Sequence, residues 1–426
     1  MMMKRTLLSI LALFGMSLLV NAQPPLYVGG DISALQQYED GKVSYYNQKG
    51  TKITDVMKYL KGEDVGWNAL RVRLFVDPSN DSDPLVRQDL DYVVRLGRRI
   101  KAEGFAFLLD FHYSDTWADP AKQWTPKAWL SLNDDQLKAK VYDYTKECLQ
   151  ALVAADAAPD FIQTGNEISY GMLWGADGTK NNRCYTSSDA NWPRFTALLQ
   201  QAVKACREVC PQAQIILHTE RAGKPDVLVG IYKRLASVDY DVIGLSYYPF
   251  WHNGLSTLST SLTKLKTNFP DKKVQIVETA YYYQWQPEKG NGIDYDFSAT
   301  WPITQAGQAA FAKDLIAELK KHEQVNGLYW WFPEENGNGP SSSPVLTGWI
   351  NRGLWNNSTH RALPALYVLK DFLGSDARVE QPYRSAQGAT RYYDLQGRPL
   401  SGEPSHPGVY VAVPAGDRQG AKKVFE

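Results

Sequence analysis

The sequence lacks a surplus of charge of either sign. Its 426 residues include 46 basic and 46 acidic side chains, which gives a formal net charge of zero. Proteins that bind nucleic acid or anionic membranes usually carry a basic excess, so this composition argues against both kinds of partner. Because 44% of the residues are hydrophobic, the chain has ample material for a core, and its partner is predicted to be uncharged.

Cysteine is scarce, and the common metal and nucleotide motifs are missing. Four cysteines are too few for a disulfide scaffold, although an oxidising compartment would permit one bridge. We expect most of them to be buried as small apolar side chains. No HExxH, P-loop or CxxC motif occurs, and we predict that the protein requires no cofactor. The cysteines are Cys148, Cys184, Cys206 and Cys210.

One loop leaves a metal ion as an alternative. Residues 288–298, EKGNGIDYDFS, contain several oxygen-bearing side chains of the type that binds calcium. The loop does not have the spacing of an EF-hand. An ordinary polar loop is therefore the prediction, and a structural calcium ion is the alternative.

Only one apolar run stands out, and it lies at the N terminus. Lys4 and Arg5 precede an apolar stretch from Leu7 to Val20, and small residues end the segment at Ala22. This pattern predicts a cleaved signal peptide over residues 1–22. A membrane anchor is the weaker alternative, because the run is short for a spanning helix and no later run is long enough. We predict an exported protein of the periplasm, cell surface or extracellular space, without a membrane span.

Eight short β-like runs alternate with amphipathic helical patterns. Apolar residues recur at three and four spacings in segments such as 85–104, 136–155 and 304–322, which is typical of helices packed on a sheet. Eight strand-helix units predict an α/β fold, the closed parallel (β/α)8 or TIM barrel, over residues 23–375. A doubly wound open sheet is the alternative, but no glycine-rich phosphate loop follows the first strand. The runs begin at Leu26, Ala69, Phe105, Asp160, Gln214, Asp241, Val274 and Gly327.

The composition changes after residue 375. Short β-like pieces follow, TRYYDLQGRPL, HPGVYVAVPAG and KKVFE, with turn signals at Gly397 and Gly408. We predict a small β-rich appendage over residues 376–426. It resembles the C-terminal tails of some exported proteins, a few of which are sorting signals, and a merely structural tail is the alternative.

Two glutamates close apolar runs at equivalent points of the predicted barrel. FIQTGNEISY places Glu167 after the fourth strand, and VQIVETAYYY places Glu278 at the end of the seventh. A single glutamate is most often a surface residue, but a carboxylate that ends an apolar run is costly unless it is paired or used. Strand ends meet at one mouth of a barrel, where two carboxylates suit glycoside cleavage. The pair is therefore predicted to be catalytic.

Other polar and aromatic residues share that rim. Arginine and tyrosine can keep a carboxylate ionised, asparagine can donate to a sugar hydroxyl, and flat aromatic rings stack on sugars. Each residue alone has a structural explanation, but together they predict a sugar-binding cleft. The polar candidates are Asp31, Arg71, Arg73, His112, Asn166, His218, Glu220, Tyr247 and Tyr248, and the aromatic segments DTWADPAKQW and LYWWFP contain Trp117 and Trp331.

With these residues placed, the sequence resembles family 53 of the glycoside hydrolases, the endo-β-1,4-galactanases. The resemblance covers about residues 27–373 and rests on GGDIS at Gly29, LRVRLFVDP at Leu70, LLDFHYSDTWADPAKQW at Leu108, TGNEISYGMLW at Thr164, GLSYYPFW at Gly244 and VETAYYY at Val277. It implies a monomeric retaining hydrolase of β-1,4-galactan in pectin side chains, with Glu167 as acid/base and Glu278 as nucleophile.

The resemblance also assigns Arg71 and Asn166 to the site, and it matches the strand-eight tryptophan to Trp331, with Trp330 as the alternative. Two segments depart from the family pattern. After His218 the chain reads TERAG, and the loop after strand seven, where some members bind calcium, is changed. Two other functions stay open: a retaining β-glycanase of the same clan acting on mannan or cellulose, and a non-catalytic glycan-binding protein.

Overall fold

Eight parallel strands form a closed barrel, which confirms the predicted α/β fold. The structure is a computed structural model that describes residues 25–179 and 185–374, with three short strands beyond them. Neighbouring strands pair in sequence order, and the eighth closes on the first. The barrel strands are β1 (Tyr27–Asp31), β2 (Ala69–Leu74), β3 (Ala106–Phe111), β4 (Phe161–Thr164), β5 (Gln214–Thr219), β6 (Val242–Ser246), β7 (Lys273–Thr279) and β8 (Val325–Trp331).

Helices surround the barrel and connect successive strands. Side-chain caps mark several of their starts: Asp89 caps α3, Thr304 caps α9, and Asn133 forms a capping box with Gln136 at α4. The helices are α1 (Leu35–Asp40), α2 (Val56–Lys61), α3 (Leu90–Ala102), α4 (Asp134–Ala154), α5 (Trp192–Val209), α6 (Pro225–Arg234), α7 (Pro249–His252), α8 (Leu255–Asn268), α9 (Gln305–Leu319), α10 (Pro344–Trp349) and α11 (Pro364–Val368).

The barrel interior is layered because side chains alternate along each strand. One apolar cluster fills its lower part, and the helices pack on a larger cluster outside. Two residues further along the same strands, polar side chains take the inward position. Arg71 therefore lies above Ala69, Asp110 above Leu108, and His218 above Ile216. The apolar cluster contains Ala69, Ala106, Leu108, Phe161, Ile216, Val242, Val277 and Tyr329.

Three strands beyond the barrel form an antiparallel sheet. Arg391–Tyr393 pairs with Val409–Val413, which also pairs with Lys422–Phe425. These strands fall where the sequence predicted β-like pieces, while the boundary at residue 375 stays a prediction. The predicted signal peptide, residues 1–22, lies outside the described residues.

Of the four cysteines, Cys148, Cys206 and Cys210 are buried and free, as expected for small apolar side chains. Cys184 lies outside the described residues. Among the described helices, none has both the length and the apolar content that a bilayer crossing needs.

The contact between β1 and β2 makes Gly29→Ala a test of the barrel closure. A methyl group at Gly29 would lie 1.7 Å from the carbonyl oxygen of Ala69, which belongs to the neighbouring strand and cannot move aside. We expect a loss of about 3 kcal/mol or more in the free energy of unfolding. Urea unfolding of the purified variant measures it.

Gly230→Ala is the matched control. Gly230 lies in α6, and no atom lies within 4 Å of an added methyl group. The same substitution should there stabilise the protein by about 0.5–1 kcal/mol, because alanine is the better helix former. Equal effects at the two positions would contradict the described packing.

Candidate active site

A cleft of about 360 Å³ opens at the carboxyl ends of the strands. This size suits a small sugar segment, and the position is where barrels of this class bind their ligands. Eight of the predicted site residues line it: His112, Trp117, Asn166, Glu167, Glu220, Tyr248, Glu278 and Trp331. The structure therefore brings together both glutamates and most of the residues that were predicted to surround them.

Glu278 lies at the end of β7 with only 6% of its surface exposed. Its Oε1 is 3.0 Å from Nη1 of Arg71, and its Oε2 accepts a hydrogen bond of 2.9 Å from the hydroxyl of Tyr248. Both contacts favour the ionised carboxylate. Burial nevertheless raises the pKa of Glu278 to about 7, partly opposed by Arg71 and Tyr248.

Glu167 follows β4 in a left-handed backbone conformation, with φ 49° and ψ 51°. It begins the short 3-10 turn Ile168–Tyr170, and this turn directs the glutamate into the cleft. No cation contacts its carboxylate among the described residues. Burial, followed by the negative charges of Glu278 and Glu220, raises the pKa of Glu167 well above its usual value.

One hydroxyl joins the two carboxylates. The Oγ of Ser246, at the end of β6, donates to Oε1 of Glu167 at 2.6 Å and lies 3.3 Å from Oε2 of Glu278. Those two oxygens are therefore no farther apart than the sum of the two distances. For this pair of oxygens the limit lies below the roughly 6.5–9.5 Å that separates the carboxyl groups of inverting glycosidases, and it is compatible with the roughly 5–5.5 Å of retaining ones.

The environments of the two glutamates are unequal, and this asymmetry orders their protonation. Arg71 and Tyr248 both stabilise a negative charge on Glu278, whereas Glu167 has only the Ser246 hydroxyl. When one proton is shared between the pair, it resides on Glu167. A carboxylic acid and a carboxylate thus face the same cleft.

Arg71 holds the base of the site together from a buried position on β2. It is 1% exposed, and its guanidinium contacts Asp31 and Asp110 at 2.8 Å each, in addition to Glu278. It also donates to Oδ1 of Asn166 at 2.8 Å. Although burial opposes the cation, these carboxylates raise the pKa of Arg71, so it stays charged.

His218 supports Ser246 from below. The backbone N–H of Glu167 can only donate, at 3.3 Å, so Nδ1 of His218 accepts and Nε2 carries the proton. That Nε2–H group donates to the Ser246 oxygen at 2.9 Å. Burial and the Arg71 cation lower the pKa of His218 well below its usual value, which keeps the ring neutral. The hydroxyl proton of Ser246 is thereby directed towards Glu167.

His112 and Trp117 form one wall of the cleft. The backbone N–H of Ala118 donates to Nδ1 of His112 at 3.0 Å, so Nε2 faces Asp110 at 3.1 Å as the protonated nitrogen. The indole N–H of Trp117 donates to Asp83 at 2.9 Å, which fixes the plane of its ring. The Trp117 ring lies 6.1 Å from that of Trp331.

Five of the thirteen candidate residues do not line the cleft. Arg71, Arg73 and His218 are buried beneath it and contact residues that line it. Asp31 is buried there as well and contacts both arginines. Tyr247 does not reach the site, because its hydroxyl donates to the backbone oxygen of Asn253 at 3.0 Å. The predicted sugar contact of Tyr247 is therefore wrong for this structure.

Comparison with known proteins agrees with this geometry. The family model for glycosyl hydrolase family 53 matches residues 27–369. This chain belongs to that family. It is therefore a glycoside hydrolase with a (β/α)8 barrel fold.

Individual relatives of family 53 cover most of the chain. An endo-β-1,4-galactanase of Bacillus subtilis is 32% identical, over 74% of this chain and 71% of its own. A probable arabinogalactan endo-β-1,4-galactanase A of Aspergillus tubingensis is 33% identical, over 83% and 99%. The solved catalytic domain of Ignisphaera aggregans superimposes with a TM-score of 0.70 at 30% identity, covering 82% of this chain and 98% of that one.

Several residues of this family 53 site were not predicted. Ser246, Trp251, His252, Trp349 and Asp119 contact the carboxylates or line the cleft. Ser246 is two residues before Tyr248 and therefore points to the same face, which is a signal that strand parity could have provided. Trp349 is the last residue of α10, in the long connection after β8, and its ring lies 4.3 Å from that of Trp331. No sequence pattern places a residue of such a connection at the cleft.

The alternation of side chains along β8 also decides between Trp331 and its alternative, Trp330. Trp331 lines the cleft, whereas Trp330 is fully buried and donates to the backbone oxygen of Arg352.

In the part of the chain that the structure describes, no group of three or more acidic, histidine or cysteine residues is arranged to hold a metal ion. The calcium alternative for residues 288–298 stays untested.

Tyr248→Phe tests the stabilisation of Glu278. Loss of the hydroxyl removes a hydrogen bond to the charged form, so the pKa of Glu278, already about 7, should rise by about one unit. Because ionised Glu278 is then present only at higher pH, the acidic limb of kcat/KM against pH should move upward by the same amount.

Tyr247→Phe is the control for that prediction. It removes the neighbouring hydroxyl, whose only described partner is the backbone of Asn253. Its pH profile should overlay that of the unaltered enzyme. An equal displacement of both profiles would show that the described orientation of the two tyrosines is incorrect.

Proposed function

We propose that the protein is a retaining endo-hydrolase of β-1,4-galactosidic bonds in the (arabino)galactan side chains of pectin. The observation that carries the reaction type is the unequal carboxylate pair, Glu167 and Glu278, joined by Ser246. The substrate is supported by the relatives from Bacillus and Aspergillus, whose names specify β-1,4-galactan or arabinogalactan cleavage within the chain.

In the first half of the reaction, a carboxylate oxygen of Glu278 attacks the anomeric carbon and forms a covalent bond. The glycosidic carbon–oxygen bond breaks, and the leaving oxygen takes the proton of Glu167. This assignment follows from the protonation order, since Arg71 and Tyr248 hold the charge on Glu278. The shortened polysaccharide then leaves with a new hydroxyl group.

In the second half, water replaces the leaving chain. Glu167, now ionised, removes a proton from the water as its oxygen attacks the anomeric carbon, and the bond to Glu278 breaks. Glu167 ends protonated and Glu278 ionised, as they began. Ser246 donates to Glu167 at 2.6 Å, so the ionised intermediate state of the acid has a hydrogen-bond donor in place.

Substrate contacts are proposed for the residues that line the cleft. Trp117 and Trp331 offer aromatic faces for stacking, and Asn166 has one amide hydrogen left after its bond to the Ala118 carbonyl. His112 and Tyr248 complete the polar wall. Asp31, Arg71 and His218 act through these residues and through Glu278 and Glu167, without reaching the sugar.

The proposal includes export and a monomeric state. The apolar N-terminal run and the polymeric substrate, which is too large to cross a bilayer unaided, both support action outside the cytoplasm.

The first test is depolymerisation of linear β-1,4-galactan beside mannan and cellulose. We expect rapid release of short oligosaccharides from galactan, and at least about 100-fold slower release from the other two polymers. Reducing-end release and product chromatography measure it. Faster cleavage of mannan or cellulose would show that galactan is not the preferred substrate. Tight binding without any cleavage would indicate a glycan-binding protein.

Glu278→Ala and Glu167→Ala test the two roles. The first should lose roughly 1,000-fold or more of kcat on galactan, since no covalent bond can form. The second should lose a comparable factor on galactan but keep the first step on an aryl glycoside, whose leaving group needs no proton. Azide should then restore turnover in Glu167→Ala and give a β-glycosyl azide by NMR. An α-azide would contradict the retaining assignment.

A further inference from the structure

A third carboxylate, that of Glu220, lies in the cleft beside the catalytic pair. Glu220 follows β5 immediately after Thr219, lines the same cavity as Glu167, and is only 7% exposed. The double displacement uses two carboxylates, so the reaction itself leaves this one unexplained. A buried acidic group is costly and needs a compensating interaction or a use.

Glu220 is held in one orientation. Its Oε1 accepts a hydrogen bond from the hydroxyl of Ser169 and lies 2.9 Å from Nε of Arg221, while its Oε2 has no partner among the described residues. The Arg221 guanidinium in turn covers the ring of Tyr170 at 4.5 Å. Burial raises the pKa of Glu220, and Arg221 and the Ser169 hydroxyl oppose this rise because both stabilise the ionised carboxylate.

These contacts reach the turn that carries Glu167. Ser169 and Tyr170 belong to the 3-10 turn Ile168–Tyr170, which directly follows the left-handed Glu167. Arg221 also donates to the Ser169 hydroxyl at 3.1 Å. Glu220 and Arg221 therefore fix both the side chains of this turn and a negative charge close to the acid.

We propose that Glu220 is a positioning residue for Glu167: it anchors the turn through Ser169, and its negative charge keeps the proton on the acid until the substrate takes it. The inference rests on the proposed function, because it specifies how the acid of that reaction is kept protonated at neutral pH. Glu220 touches no reacting atom in this role.

The other charged groups around Glu167 determine how strongly Glu220 can influence its protonation. Glu278 and Asp119 are the other acidic groups, and each also favours protonation of Glu167. Lys122 lines the cleft and Arg221 borders it, and both oppose protonation. His218 and His252 are neutral, because burial lowers the pKa of each, to about 3 for His252. Burial keeps Tyr248 neutral as well, since it raises the pKa of its hydroxyl.

Removal of the Glu220 charge should lower the pKa of Glu167. Glu220→Gln deletes a negative charge and leaves Arg221 uncompensated, and both changes favour ionised Glu167. The amide oxygen can still accept from Ser169, so the turn is retained. The pKa of Glu167 should fall by about one unit, and the alkaline limb of kcat/KM against pH should move to lower pH by the same amount.

The experiment compares Glu220→Gln, Glu220→Asp and Glu39→Gln by pH profile and by ¹³C titration of the glutamate carboxyl groups. Glu220→Asp keeps the charge and should leave the alkaline limb near its original pH. Glu39→Gln makes the same chemical change in an ion pair with Arg99 between α1 and α3, and should leave the profile unchanged. Glu167→Gln and Glu220→Asp assign the two carboxyl signals.

Each outcome decides the inference. A downward shift in Glu220→Gln alone supports it, whereas a loss of kcat without a shift of the limb reduces Glu220 to a structural residue and overturns it. If Glu220→Gln does not fold, the unaltered protein decides: a Glu220 signal that is protonated while Glu167 titrates contradicts the proposal. The carboxyl titration needs no substrate, so failure of galactan hydrolysis would overturn the proposed function and not this assignment.

Discussion

The buried guanidinium of Arg71 is the interaction on which the rest of the site depends. Three carboxylates, Asp31, Asp110 and Glu278, converge on it within 3.0 Å, and none of the four is appreciably exposed. Neither the cation nor the carboxylates would be tolerated alone in the barrel interior, since an unpaired charge there costs several kcal/mol. Because the four residues come from β1, β2, β3 and β7, their mutual compensation also ties distant strands to a common geometry. In the proposed mechanism Glu278 is thus part of the fold as well as of the chemistry.

The same cation separates the functions of two identical side chains. Glu167 and Glu278 share the Ser246 hydroxyl, yet only Glu278 lies against a positive charge and a tyrosine hydroxyl. Both glutamates are buried to a similar depth, so their different protonation comes from their different charged and hydrogen-bonding partners. His218 fixes the direction of the Ser246 hydroxyl. Because its ring is neutral, it adds no positive charge that would stabilise ionised Glu167 and reduce the difference in protonation between the two glutamates.

Much of this could be predicted from the sequence, and what could not has a physical reason. The eight strand-helix units and the two glutamates were predictable because period-2 alternation and charges at the ends of apolar runs are local features. Tyr247 was assigned to the site because both tyrosines follow β6, but adjacent residues of an extended chain face opposite sides, and only Tyr248 has the parity of Ser246. Ser246 itself looks unremarkable in sequence, since a serine gives no sign of the two carboxylates that three-dimensional packing brings to it. Trp349 ends α10 in the long connection after β8, whose path depends on tertiary contacts that no local pattern encodes.

The apolar floor of the barrel has a consequence for the order of events during turnover. Leu108, Ile216, Val277, Tyr329 and their neighbours fill the interior below the polar layer, so no passage leads through the barrel to the covalently held sugar. Polymer, departing fragment and water must all use one entrance. Water can then approach the anomeric carbon only from the side that the departing fragment has vacated, beside Glu167. Packing far below the reacting atoms thereby reinforces an order that the displacement itself requires, because water must attack from the face that the departing fragment has left.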